Sequence, residues 1–395
     1  MALEGITVLD LGASISAPYC TKLLADYGAG VIKVEPPEGD PARRAGPFPQ
    51  DIPHPEKSGL FLTLNTNKKG ITLDLRTVEG RDILRELVKS ADLVVDNYPP
   101  GYMDSLGLSL QALHVLNPNL VVTSITPFGL SGPYRDFQTT DLVSFALTNR
   151  MVLNGMPERE PLHYAQDVVW FQVGATAAVA SLAAVYSSSY TGHGHMVEIS
   201  AMECLSGNVD ARTLFYQYTK RLPRRGTMDI GYPAGAYPCQ DGYVAFSAGG
   251  DRFFRRFCHA MDRADLLDDP RWSTVEARAS NQEPFEELLF GWLMARTKKE
   301  VFTICQEHRV MCAPVHTVDE LFTDPQLEDR QFFTTVDNPV AGPLTQPGAP
   351  FKMTETPWSL RYPAPTLGQH NSEIYCGRLG YSPGDLALLR SMRAI

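Results

Sequence analysis

The chain has 395 residues, 44% of them apolar, and carries 35 Lys and Arg against 45 Asp and Glu, a formal charge of −10. That is enough chain and apolar content for two or three domains with packed cores. The acidic balance argues against nucleic acid or an anionic membrane as the main partner, since both need a basic face, but it allows a small anionic ligand in a local basic pocket. The first forty residues then read as strand, helix, strand. Ile6–Leu11 is an apolar strand ending at Gly12, and a small-residue loop through Ala17 leads to Pro18, which suits a first helical turn. Tyr19, Leu23, Leu24 and Tyr27 recur at helical spacing before Gly28 stops the helix, and Val31–Glu35 is the next strand. This is a right-handed βαβ unit with its loop at the carboxyl end of the sheet.

The alternation continues with a strand at Ile71–Leu75, an amphipathic helix over 78–90, and strands at Leu93–Val95 and Leu120–Ile125. It specifies an open parallel sheet with helices on both faces, whose ligands lie beyond the strands' carboxyl ends. From Val168 to Tyr186 no residue is charged, and the length meets a crude test for a membrane span. The stretch is rich in Ala, Gly, Ser and Val, includes Gln172 and Thr176, and lacks flanking Lys or Arg, so a buried core helix is expected. Met196–Ile199 offers one more strand. Beyond about residue 218 come a turn at Asp241–Gly242, the strand Tyr243–Ser247, helices near 251–263, 281–296 and 298–308, and the apolar run Val310–Val315. These indicate a smaller α+β domain. Residues 337–366 read as an extended connection, and the tail over 372–393 as partly helical.

Several familiar chemistries lack their signatures. Seven scattered cysteines without a CxxC pair read as reduced thiols, and the start Met-Ala-Leu-Glu-Gly has no basic, apolar leader, so a cytoplasmic location is expected. Neither GxGxxG, GxxxxGK[ST] nor GxSxG occurs. His193-Gly-His195 lies in a turn without further ligands at metal spacing, so no metal is expected. The loop Gly12–Ala17 is either a ligand-binding loop or an ordinary βα connection. Asp167, opening the uncharged helix, is an N-cap, a nucleophile made reactive by the helix dipole and apolar walls, or both. Arg43, Arg44, Lys68, Lys69, Arg76 and Arg135 are surface charges singly, and as a set they can neutralise phosphates.

Many short segments in order resemble the class III coenzyme A transferases, the family of formyl-CoA transferase and carnitine CoA-transferase. They include Gly5–Leu11, Ala17-Pro18, Leu24–Glu35, Gly39-Asp40 with Arg43, Asn65–Leu75, Ala91–Gly101 and Phe128–Pro133. Thr191-Gly192, Ala313–Val315, Asp324–Gln326 and Leu367–His370 follow. The resemblance implies a Rossmann-like α/β domain built from both chain ends (1–217 and 335–395), an inserted small domain (218–334), and an interlinked homodimer. It implies an enzyme that moves CoA from an acyl-CoA donor to a carboxylic acid acceptor, with CoA as substrate, no permanently bound cofactor and no metal, nucleic acid or membrane partner. Asp167 falls on the nucleophile that passes through anhydride and aspartyl-CoA thioester intermediates. Ser14, Ile15, Ser16, Arg43, Leu73, Arg76, Asn97 and Tyr98 fall on CoA-contacting positions, and Asp141 on one that orients the acyl group.

The match has departures. Ser16-Ala17-Pro18 replaces Ala-Gly-Pro, Ile15 replaces a polar residue, and the glycine-rich lid is absent unless Gly231–Gly235 takes its place. The related 2-methylacyl-CoA racemases use a His immediately before the Asp that matches Asp141. This chain has Thr140 there, which is no base near neutral pH, so a racemase is disfavoured. A CoA-binding subunit of a heteromeric transferase is the non-enzymatic alternative, and retention of Asp167 argues against it.

Overall fold

Six strands form one wholly parallel sheet: β1 (Thr7–Asp10), β2 (Gly30–Glu35), β3 (Lys68–Thr72), β4 (Leu93–Asp96), β5 (Val121–Thr126) and β6 (Met196–Ser200). Their order is β3-β2-β1-β4-β5-β6, the doubly wound arrangement, and it reverses direction between β1 and β4. Alternation along each strand fills two cores. Leu9, Ile32, Ile71 and Val94 face one side, while Val8, Val31, Leu93 and Val95 face the other, and all are at most 2% exposed. Near-continuous apolar strands follow from covering both faces. The computed structural model describes residues 1–165, 167–206, 212–223, 225 and 231–395.

The intervening helices are α1 (Ser16–Asp26), α2 (Gly59–Leu64), α3 (Val78–Val88), α4 (Tyr102–Ser105), α5 (Leu110–Leu116), α6 (Asp141–Ala146) and α7 (Val168–Thr191). After β6 come α8 (Ala201–Ser206) and α9 (Arg212–Thr219). The expected core helix is here α7, and it is buried along one face only. Val169, Val173, Gly174, Ala177, Ala178 and Ser181 form that face, and a Cβ on Gly174 would lie 2.5 Å from Ser16 O, so glycine permits the close approach to α1. The opposite side leaves Val179 73%, Tyr186 64% and Tyr190 75% exposed. Small residues explain the difference: their stripe lets α1 pack closely, and nothing among the described residues buries the larger side chains behind it.

The chain divides into two units, Met1–Arg225 with Gln331–Ile395, and Gly226–Arg330. Within the smaller unit, β7 (Ala234–Cys239), β8 (Gly242–Ser247) and β9 (Met311–Pro314) make an antiparallel sheet in that order. The helices Asp251–Ala260, Gln282–Met294 and Lys298–Glu307 supply Phe254, Phe257, Phe285, Leu289 and Val301 to one core with β8. Ala234 and Gly235 of the suggested lid pair with Ser247 and Phe246 inside this sheet. The expected extended connection begins instead as a hairpin, Phe333–Asn338 with Gly342–Pro347, hidden in the sequence by its glycine and prolines.

Candidate active site

The carboxyl ends of β1 and β4 adjoin at the switch point, where open α/β sheets bind their ligands. Gly12 leads into the β1–α1 loop, and a Cβ there would lie 2.1 Å from that of Ala17. Asn97, just past β4, holds the loop with both ends of its amide. Ala13 N donates to its Oδ1 at 2.8 Å, and its Nδ2 donates to Ala13 O at 2.8 Å and Ser16 Oγ at 3.3 Å. Ser14 sits at φ 62° and donates its N–H to Asp40 Oδ1 at 2.9 Å. A non-glycine residue in the left-handed region persists where its surroundings impose it.

Beneath this loop lies a cluster of buried charge. Asp10 and Lys33 are neighbours across β1 and β2. Lys68 Nζ lies 2.9 Å from Asp10 Oδ2 and also donates to Pro18 O and Asn65 Oδ1. Lys33 Nζ pairs with Asp40 Oδ2 at 2.9 Å and donates to Gly12 O. These four side chains are at most 1% exposed, so each charge depends on its partners. The two lysines differ in electrostatic company. Burial opposes the charge on both. Around Lys33 the carboxylates of Asp10, Asp40 and Glu35 outweigh it and hold the ammonium above its usual range. Around Lys68 burial wins, because Asp10 is opposed by Lys33 and Lys22, and its pKa is drawn down to about 8.

Across from the loop stands Asp167 at the N-cap position of α7. Its backbone is left-handed, φ 66°, and its side chain caps no helical N–H. Asp141 does so instead: Oδ1 accepts from Val169 N at 3.2 Å, while Oδ2 lies 2.7 Å from His163 Nε2. The latter contact is an ion pair by distance without the alignment of a hydrogen bond. The borrowed cap satisfies a first-turn donor and leaves the Asp167 carboxylate free. Asp167 lines a cavity of about 500 Å³ with Ser14, Ile15, Ser16, Asn97 and Trp170. Partial burial, and secondarily the Asp141 carboxylate, push its pKa up. Such a group is less well hydrated and more basic, properties that suit a nucleophile.

The structure thus brings Asp167, Ser14, Ile15, Ser16 and Asn97 together. Leu73, Arg76 and Tyr98 line a second cavity of about 250 Å³ on the other side of the loop, and Pro41 borders both. Arg76 is 60% exposed there and paired with Asp74 and Glu38 at 2.8 Å. Arg43 lines neither cavity. Its guanidinium is 1% exposed, bonded to Glu35 and Glu56 and seated 3.7 Å over the Phe61 ring. Its charge is needed to neutralise those carboxylates, which corrects the expectation of a CoA contact through that group. Asp141 is also engaged, with the start of α7 and His163, and not with the cavity lining. Thr140 caps α6, accepting from Val143 N.

Sequence reasoning missed His163, Trp170, Asp40 and the Asp10–Lys33–Lys68 cluster. The cluster had a signal in charged residues at strand positions that both faces bury. His163 had none, since its partner is distant in sequence. Among the described residues, no group of three or more His, Cys, Asp or Glu is placed to hold a metal ion.

Comparison with known proteins places this geometry in context. A family model described as CoA-transferase family III matches residues 3–371. The chain is similar to the succinyl-CoA–D-citramalate CoA-transferase of Chloroflexus aurantiacus, with 32% identity over 100% of this chain and 98% of that protein. It is 34% identical to the BbsE subunit of the succinyl-CoA:(R)-benzylsuccinate CoA-transferase of Thauera aromatica, covering 98% and 97% of the two chains. A formyl-CoA:oxalate CoA-transferase of Streptomyces avermitilis is 32% identical over 99% and 98%. The crystal structure of a CAIB/BAIF family protein from Brucella suis matches with a TM-score of 0.86 and 28% identity, covering 95% of this chain and 98% of that one.

Proposed function

The chain belongs to CoA-transferase family III and is an enzyme that transfers CoA between an acyl-CoA and a carboxylate, and from that premise we propose that Asp167 carries the reaction covalently. One Asp167 oxygen attacks the thioester carbonyl, a C–O bond forms, the C–S bond breaks, and CoA leaves as thiolate. The thiolate attacks the Asp167 carbonyl of the mixed anhydride, forming aspartyl-CoA and releasing the donor acid as carboxylate. The acceptor carboxylate then attacks this thioester and expels the thiolate again. Thiolate attack on the acceptor carbonyl of the new anhydride yields the product thioester and regenerates Asp167. The two carboxylate attacks each form a C–O and break a C–S bond, the two thiolate attacks do the reverse, and no step transfers a proton, so a general base is unnecessary.

The observation that carries the reading is the borrowed cap: Asp141 bonds Val169 N, and the Asp167 carboxylate faces a cavity beside Ser14–Ser16. CoA would run from Tyr98 and Leu73, at the adenine, past Arg76 near the phosphates and along the β1–α1 loop to Asp167. Succinyl-CoA, the donor named for two of the relatives, is the first to assay. Asp167→Asn should lower turnover by at least about 10³-fold while acyl-CoA still binds. Quenched wild-type enzyme should carry CoA on the Asp167 peptide by mass spectrometry. Undiminished turnover of the variant would overturn the assignment.

The active form in this reading is a cytoplasmic homodimer, with the open apolar side of α7 as a subunit contact. Val179, Leu182, Tyr186 and Tyr190 along that side, with Leu214 and Tyr218 on α9, form the kind of exposed apolar surface that marks association. Light scattering on the purified chain separates a dimer from a monomer awaiting a different subunit.

A further inference from the structure

His163 belongs to no motif, yet it meets the carboxylate that caps α7. Its Nε2 lies 2.7 Å from Asp141 Oδ2, and its ring meets the buried Phe145 ring edge-on at 5.0 Å. Phe145 also holds Tyr164, at 4.7 Å, so one side chain of α6 anchors two successive residues of the segment leading to Asp167. Among the described residues, the charged or titratable groups beside His163 are Asp141 on α6 and its chain neighbour Tyr164. Asp141 has two opposing effects on the site. Its Oδ1 caps α7 and frees Asp167, but its negative charge makes the ionised form of Asp167 harder to reach.

We infer that His163 is a positioning residue for the nucleophile: as an imidazolium it neutralises Asp141, and its contact holds that carboxylate on the first turn of α7. The inference rests on Asp167 being the nucleophile, since His163 acts on the chemistry only through that group.

The test is the pH profile of kcat/KM for CoA transfer. Without the cation, Asp141 acts on Asp167 uncompensated, so His163→Gln should move the acid limb upward by about 0.5 to 1 pH unit. Near pH 7, kcat should fall several-fold with KM for acyl-CoA within about twofold. In an Asp141→Asn background the same substitution should move the limb by clearly less, because the carboxylate that holds the imidazolium in place is gone. His163→Lys, which keeps a cation there, should restore the wild-type limb. A uniform loss of rate with an unmoved limb, an equal shift in the Asp141→Asn background, or a His163→Lys profile like that of His163→Gln would overturn the inference. Should His163→Gln fail to fold, the Lys variant alone decides, by keeping or losing the wild-type limb. Turnover surviving in Asp167→Asn would instead overturn the nucleophile assignment, a result distinguishable from all of these.

Discussion

The two sides of the Asp167 cavity are built on opposite principles. The Ser14–Ser16 side is clamped from below by Asp10, Lys33, Asp40 and Lys68, all buried, and from the side by Asn97. The Asp167 side hangs on Asp141, which links α6, His163 and the start of α7. A loop that receives a long flexible ligand gains from being formed in advance, because little ordering remains to be done on binding. In the proposed reaction, a carboxylate that is attacked and released several times per turnover gains from having no hydrogen bond to break among the described residues.

The sharpest way to break this comparison is to remove the anion at the centre of the clamp. Asp10→Ala leaves Lys33 and Lys68 buried with less compensation, and loss of one partner from a buried pair costs about 3–5 kcal/mol. Urea unfolding should show a loss of that size, and a stability close to wild type would mean that the cluster is not the foundation of the loop. A second, smaller effect comes from pH. Lys68 is drawn down to about 8 in the folded protein against 10.5 for an unperturbed lysine, so between these values the unfolded chain binds more protons. The contribution of Lys68 to stability should therefore rise with pH across that window, by up to about 1.4 kcal/mol per pH unit. The difference between wild type and Lys68→Met, followed by urea unfolding from pH 7.5 to 10.5, isolates that slope from the tyrosines and cysteines. A difference that is flat or falls with pH would contradict the assignment of charge within the cluster. The smallest effect belongs to the solvent edge. Arg76 is well exposed, so Arg76→Ala should change stability by less than about 0.5 kcal/mol. Its KM for acyl-CoA should rise about threefold to tenfold, less so at high salt, if it meets phosphate. An unchanged KM would remove Arg76 from the binding path.

Much of this was legible in the residues. The spacing of Ile6–Leu11, the small loop and Tyr19–Tyr27 predicted the βαβ unit that carries the site, and β1, α1 and β2 occupy those places. Family-like segments pointed to Asp167 and to the loop facing it. The third strand runs over Lys68–Thr72, ahead of the Ile71–Leu75 that the apolar spacing predicts, because two lysines disguise its start. They are tolerable in a strand since Lys68 reaches Asp10 and Lys69 reaches Glu373. Arg43 illustrates the opposite error: a basic residue in the right motif, whose charge is consumed by Glu35 and Glu56.

By itself, then, the sequence determined the alternating sheet and the loop at its switch point, since these depend on periodicity and on residues near one another in the chain, while the choice of Asp167 came from the family resemblance alone. Only the tertiary structure decided which charges face solvent, which face of α7 packs, and which carboxylate caps that helix. Each of those outcomes depends on partners brought together from afar, 28 residues apart for Asp141 and Val169 and 58 for Asp10 and Lys68. Whether a carboxylate is a cap, a counter-ion or a nucleophile depends on which donor folding places beside it.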